Sequence, residues 1–100
     1  MRFLAICRPA PDVDVAREFM PHARAEMDAL WALYSEGVVR EMYQPGGPGA
    51  VLVLECADSE HARAQLERLP LVANGLVQAE VIELQPFGAL RMLFAETRKP

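Results

Sequence analysis

The stretch "AVLVLECA", residues 50–57, is a nearly unbroken apolar run. A strand sends successive side chains to opposite sides of its sheet. Apolar residues on both sides therefore demand cover on both sides, and the run predicts a central strand. Whatever this chain folds into must bury that strand twice over.

The flanking segments supply the rest of the sheet. "RFLAIC" (2–7) is short and apolar, and "RPAP" stops it, so it reads as a strand. "VVREMY" (38–43) reads as a strand with Val38, Arg40 and Met42 on one side and Val39, Glu41 and Tyr43 on the other. "LVQAEVIEL" (76–84) alternates, with Val77, Ala79 and Val81 opposing Gln78, Glu80 and Ile82. Between 38–43 and 50–57 lies "PGGPG" (45–49). A phosphate-cradling loop would follow a strand, open a helix and carry a Lys followed by Ser or Thr. This one opens another strand and has no Lys, so it is a hairpin turn whose glycines and prolines set the torsions.

Two helices separate the strands. From Val15 to Glu36 the residues Phe19, Met20, Ala23, Met27, Leu30, Trp31 and Tyr34 form one broad apolar face. Asp12 or Asp14 is positioned to cap it, and Gly37 stands where a left-handed residue ends a helix. Pro21 removes a backbone hydrogen bond, so the helix either kinks there or begins there. "DSEHARAQLERLP" opens with Asp58 or Ser59 as cap, turns Ala62, Leu66 and Leu69 to one side and stops before Pro70. "LVANG" is a connection.

The order β-α-β-β-α-β is that of an α+β, ferredoxin-like fold. Right-handed crossovers arrange its antiparallel strands 4-1-3-2, with both helices on one side. One hundred residues make a single domain, with its core in 2–86 and a tail at 87–100. Cys7 and Cys56 end antiparallel neighbouring strands at opposite edges. Six residues separate them by about 20 Å, well beyond the roughly 7 Å that a disulfide spans.

Two helices cannot cover both sides of a four-stranded sheet. Hydrophobic residues make up 52% of the chain, and the tail adds Phe87, Leu90, Met92, Leu93 and Phe94. The expected solution is a homodimer, or a higher assembly of it, in which two sheets pack face to face and each tail reaches onto the partner. The net charge of −4 and scattered basic residues argue against nucleic acid. No run is long enough to span a membrane, and the N-terminal apolar stretch is too short for a signal peptide, so the expected compartment is the cytoplasm. No metal cluster, nucleophile elbow or cofactor fingerprint is present.

The stretch "LYSEGVVREMYQPGGPGAVLVLECADSEHARAQLERLPLVANGLVQAEVIEL" resembles the muconolactone δ-isomerase family of dimeric α+β barrels, and the likeness in order and spacing covers residues 20–86. The shared features are Glu-Gly ending the first helix, an Arg early in the next strand, the gap that follows, and "LPL" after the second helix. The resemblance implies a homodimeric barrel holding a site in each barrel. It also implies a cofactor-free proton shift in a lactone from aromatic breakdown. Where that family's first strand tends to carry His and Lys, this chain has Leu4 and Ile6, and Glu41 stands at a family His. A more apolar cavity with a carboxylate suits a larger, more hydrophobic carbonyl compound.

The expected function is thus a cofactor-independent isomerase or cyclase; the alternative is a non-catalytic small-ligand binding or assembly module. Glu41 is a candidate general base, with Glu80 second and Gln78 beside it. Tyr43 is a candidate donor to an enolate oxygen, and Arg40 a candidate anion clamp pointing opposite to Glu41 unless a bulge intervenes. His22 sits in a "PH" pair that resembles the helix histidine of YCII-like barrels. Arg8 is a candidate for the rim of the site, His61 is a surface residue, and Trp31 and the methionines are core or interface.

Overall fold

The computed structural model describes residues 1–95. The strands β1 (Arg2–Pro9), β2 (Val39–Tyr43), β3 (Ala50–Glu55) and β4 (Val77–Leu84) form one sheet in the order β2-β3-β1-β4. Every pairing is antiparallel. This is the ferredoxin-like arrangement expected, read from the other edge, and 45–49 is the hairpin turn between β2 and β3.

Pro21 resolves the choice at the first helix. A turn of helix α1 (Val15–Glu18) gives way to a 3-10 turn over Met20–His22, and helix α2 runs Ala23–Ser35. Asp14 caps α1: its carboxylate accepts from the Arg17 amide, while its own amide donates to Glu18. Gly37, at φ +83°, ends α2 in the left-handed region. Helix α3 (Ser59–Leu66) takes Asp58 as its cap, whose Oδ1 accepts from the His61 amide at 2.8 Å. The predicted connection after it contains a short helix, α4 (Pro70–Ala73), because Pro70 stands where a helix start wants proline.

The core lies between helices and sheet. Phe3, Leu33, Leu52, Leu54 and Leu66 are fully buried there. The predicted inward face of α2 is rotated. Leu33 and Glu26 point inward, whereas Met27, Trp31 and Tyr34 are exposed, Trp31 at 65%. Trp31 and Tyr34 pack on each other outside, ring centroids 5.7 Å apart.

A second correction concerns β2. Val39 pairs with Leu54 and Glu41 with Val53, so Arg40 is an extra residue in a β-bulge. The bulge shifts the alternation by one. Val39 and Met42 turn toward the helices, opposite Leu54 and Leu52, while Glu41 and Tyr43 stay on the far side, opposite Val53 and Val51. Val39 therefore leaves the side it shares with Glu41 in an unbroken strand.

The far side of the sheet has no cover among the described residues. It carries Leu4, Ile6, Val51 and Val53 at its centre, and Ile82 and Leu84 on β4 are exposed. The tail forms a 3-10 turn over Gly88–Leu93 with Phe87, Met92, Leu93 and Phe94 exposed, and the last five residues of the predicted tail lie outside the described ones. Cys7 and Cys56 are buried free thiols at opposite ends of the β1–β3 pair. Cys7 sits opposite Ala50, and the Cys56 amide reaches the carbonyl of Met1.

Candidate functional site

Two places deserve comparison as sites: the bare side of the sheet and a pocket on its helix side. The bare side holds three of the predicted residues. Tyr43 Oη donates to Glu41 Oε1 at 2.6 Å, and this bond holds the phenol's pKa up by stabilising its protonated form. Both side chains are exposed. Glu80 is on the same side, in the cross-strand row Tyr43–Val51–Ile6–Glu80. Three strand spacings put it about 14 Å from Tyr43. It pairs instead with Arg8, 3.4 Å away across β1 and β4. Glu41 and Tyr43 are thus brought together, and Glu80 is not brought to them.

Arg40, the bulge residue, is exposed, and its Nε donates to the Gly37 carbonyl at 2.8 Å. His22 lies in the helix layer, half-buried, one helical turn before Glu26. His61 accepts from the Ala57 amide at the start of α3 and is exposed, as expected for a surface residue.

The pocket has a volume of about 450 Å³ and opens between α2, α4 and the end of the β2–β3 hairpin. That is the size of an ordinary small-molecule site. Met27 and Leu30 wall it on one side and Leu71 on another, while Leu52 and Cys7 line the sheet side. Tyr43 and Gln44 stand at its edge where β2 runs out into the hairpin. The bulge matters here, since without it Met42 could not also reach this pocket.

One carboxylic acid lines this space. Glu26, on α2, is only 8% exposed, and its Oε1 accepts from the Leu71 amide at 2.9 Å. Among the described residues it is the only hydrogen-bond donor to this carboxylate, which leaves Oε2 available. Burial pushes the Glu26 pKa up; the Leu71 amide and the charge of His22 oppose that shift without cancelling it. Next to it, burial and the Glu26 charge push the Cys7 thiol up to about 11, so this sulfur stays protonated and unreactive.

Sequence reasoning missed Glu26. The available signal was its spacing: Glu26, Ala29, Leu30 and Leu33 share one helical stripe. The Met27–Trp31–Tyr34 stripe is more apolar and drew the assignment to itself.

Among the described residues, no cluster of three or more His, Cys, Asp or Glu is arranged to hold a metal, and no helix is long and apolar enough to cross a membrane. No protein-family model matches the sequence, and no curated protein matches it. Among solved structures, the fold is similar to a 5-chloro-2-hydroxyhydroquinone dehydrochlorinase from Burkholderia phenoliruptrix AC1100, in complex with 2,5-dihydroxybenzoquinone. The TM-score is 0.64 at 17% identity, over 85% of this chain and 94% of the other. At this identity the likeness speaks for the fold, and it agrees with the α+β, ferredoxin-like class read from the sequence.

Proposed function

We propose that this chain is a cofactor-independent isomerase or cyclase that moves a proton next to the carbonyl of a small, fairly hydrophobic compound, and that it works as a homodimer. The observation that carries the reading is Glu26, a carboxylate 8% exposed in an apolar pocket of about 450 Å³. Burial that raises a carboxyl toward neutrality makes it a stronger base once ionised, which is what abstraction of a carbon-bound proton requires. The base is therefore Glu26 rather than Glu41 or Glu80.

In the first step, Glu26 Oε2 takes the proton from the carbon beside the carbonyl. The C–H electron pair moves into the new C=C bond, and the carbonyl π pair moves onto oxygen as an enolate. In the second, the carboxylic acid returns the proton to another carbon of the conjugated system, and no net oxidation occurs. Tyr43 spends its hydroxyl proton on Glu41 on the bare side of the sheet, so it is not the donor for this enolate. His22, one turn from Glu26, supports the ionised base by its charge. Arg40 and Glu80 play no part in this pocket. Glu80 belongs with Arg8 to the surface that meets the second subunit.

The homodimer draws its support from the bare sheet side with Leu4, Ile6, Val51 and Val53, and from the exposed apolar tail. A specific observation favours the second reading, a binding module without catalysis. The bond from Leu71 N gives Glu26 a structural duty at the start of α4.

Exchange of the α-protons of 2-tetralone for solvent deuterium, followed by NMR, separates the two readings. The wild-type protein accelerates exchange, and Glu26→Gln, which keeps an acceptor for Leu71, lowers it by about 10²–10⁴-fold. An unchanged rate in a folded Glu26→Gln protein removes the catalytic assignment.

A further inference from the structure

We propose that the Glu26 pocket selects uncharged, hydroxyl- or enol-bearing ring compounds and rejects carboxylates. This deepens the reading above and rests on its choice of pocket. The resemblance to the muconolactone family implies a lactone substrate, whereas the lining residues bear on the ligand's charge directly.

No Lys, Arg or His is among the residues that line the cavity. Arg40, the cation sequence reasoning assigned to an anion, is tied to the Gly37 carbonyl, and Arg8 is paired with Glu80 on the other side of the sheet. A ligand carboxylate in the pocket would lose its water without a cation to replace it, and burying an unpaired charge is strongly unfavourable. It would also meet the carboxylate of Glu26, a like charge in a low-dielectric space.

A neutral hydroxyl meets the opposite situation. Glu26 spends one oxygen on Leu71 N and leaves Oε2 to accept. A ligand O–H aimed there forms a charge-assisted hydrogen bond, stronger than one between neutral groups. The remaining lining is dominated by Phe19, Met27, Leu30, Met42, Leu52 and Val72. These favour flat apolar rings, and the two methionines have sulfur and flexible stems that adapt to a ring edge. The ligand that fits all of this is a neutral ring system with one hydroxyl directed at α2.

Calorimetry on the full-length protein at pH 7.5 tests it with 2-naphthol and 2-naphthoate, which share a skeleton and differ in charge. The expected result is binding of 2-naphthol with an affinity at least ten-fold above that of 2-naphthoate. Glu26→Gln should shrink this ratio at least three-fold, with circular dichroism checking that the variant is folded. Met27→Trp, a change at an exposed pocket wall, should abolish 2-naphthol binding and so locate it. Should Glu26→Gln fail to fold, Met27→Trp and the wild-type ratio decide the matter. Equal or tighter binding of 2-naphthoate, binding of neither probe, or 2-naphthol binding unaffected by Met27→Trp would each overturn the proposal. Turnover is read separately. Selective binding with exchange unaffected by Glu26→Gln sinks the catalytic reading alone, and loss of exchange without charge selectivity sinks the selectivity alone.

Discussion

The two sides of the sheet handle a carboxylate in opposite ways. On the helix side, Glu26 is enclosed by apolar side chains, and burial raises its pKa against the bond from Leu71. On the bare side, Glu55 accepts from the N-terminal amine at 2.7 Å and from Arg2 at 3.0 Å, which together lower its pKa. Burial shifts the first group toward its neutral form; ion pairing holds the second toward its charged form at the end of a strand pair. The lesson is that a carboxylate's chemistry here follows from its surroundings more than from its place on a strand or helix. A sheet with one finished side and one unfinished side separates the two jobs.

The sharpest way to break the comparison is to make the bare side repel a copy of itself. Ile82 lies there beside Leu4, and Ile82→Arg should halve the mass measured by light scattering while leaving the circular dichroism spectrum unchanged. A wild-type protein already monomeric at micromolar concentration would sink the homodimer. In the monomeric background, the sides should then differ in stability. Leu54→Ala, in the covered core, should cost about 2–5 kcal/mol in urea denaturation. Val53→Ala, its neighbour on the bare side, should cost less than about 1 kcal/mol. Similar losses would mean that the bare side is packed after all.

A smaller effect separates two glycines of one hairpin. Gly49 has φ +128°, and a Cβ there would collide with the Cys7 carbonyl oxygen, whereas a Cβ at Gly46 would meet nothing. Gly49→Ala should therefore lower stability by about 1–3 kcal/mol, and Gly46→Ala should leave the melting temperature within a degree or two. The smallest effect is one of pH. Glu26 binds its proton more tightly folded than unfolded, so its contribution is fully present below the ordinary carboxylate value of 4.5 and is lost as pH rises through the raised folded value. Glu55 runs the other way, its contribution being present above 4.5 and lost as pH falls through the lowered value. The melting temperature of Glu26→Gln should thus gain on that of the wild type as pH rises above 4.5 and then level off. A difference that stays flat, or shrinks, would show that Glu26 is not held toward neutrality.

Much of the fold was legible because its signals are local. The apolar run at β3, the alternation at β4, Gly37 and the capping aspartates each announce themselves within a few residues. What escaped depends on contacts between distant segments. The rotation of α2 was hidden because two stripes compete on one helix. The more apolar one lost: Leu33 packs into the core while Trp31 stays outside. The bulge at Arg40 was considered without any feature in "VVREMY" that called for it, and its one-residue shift decided that Met42 joins the pocket while Tyr43 stands at its edge. Glu26 drew no notice because its partner, Leu71 N, lies 45 positions away. The predicted pair Glu41 and Tyr43 does meet, but as neighbours two residues apart on one strand, which local alternation can foresee.

The hairpin after β2 has an anchored root and an idle tip. Gly49 is pressed against β1, whereas Gly46 and Gly47 stand in open space. Because the root holds the strands, extra residues spliced in at the tip would not disturb the register, and they would hang over the entrance beside Gln44. Descendants of such a chain could thereby acquire a longer eave above the cavity, and with it a new appetite for ligands, without rebuilding anything beneath.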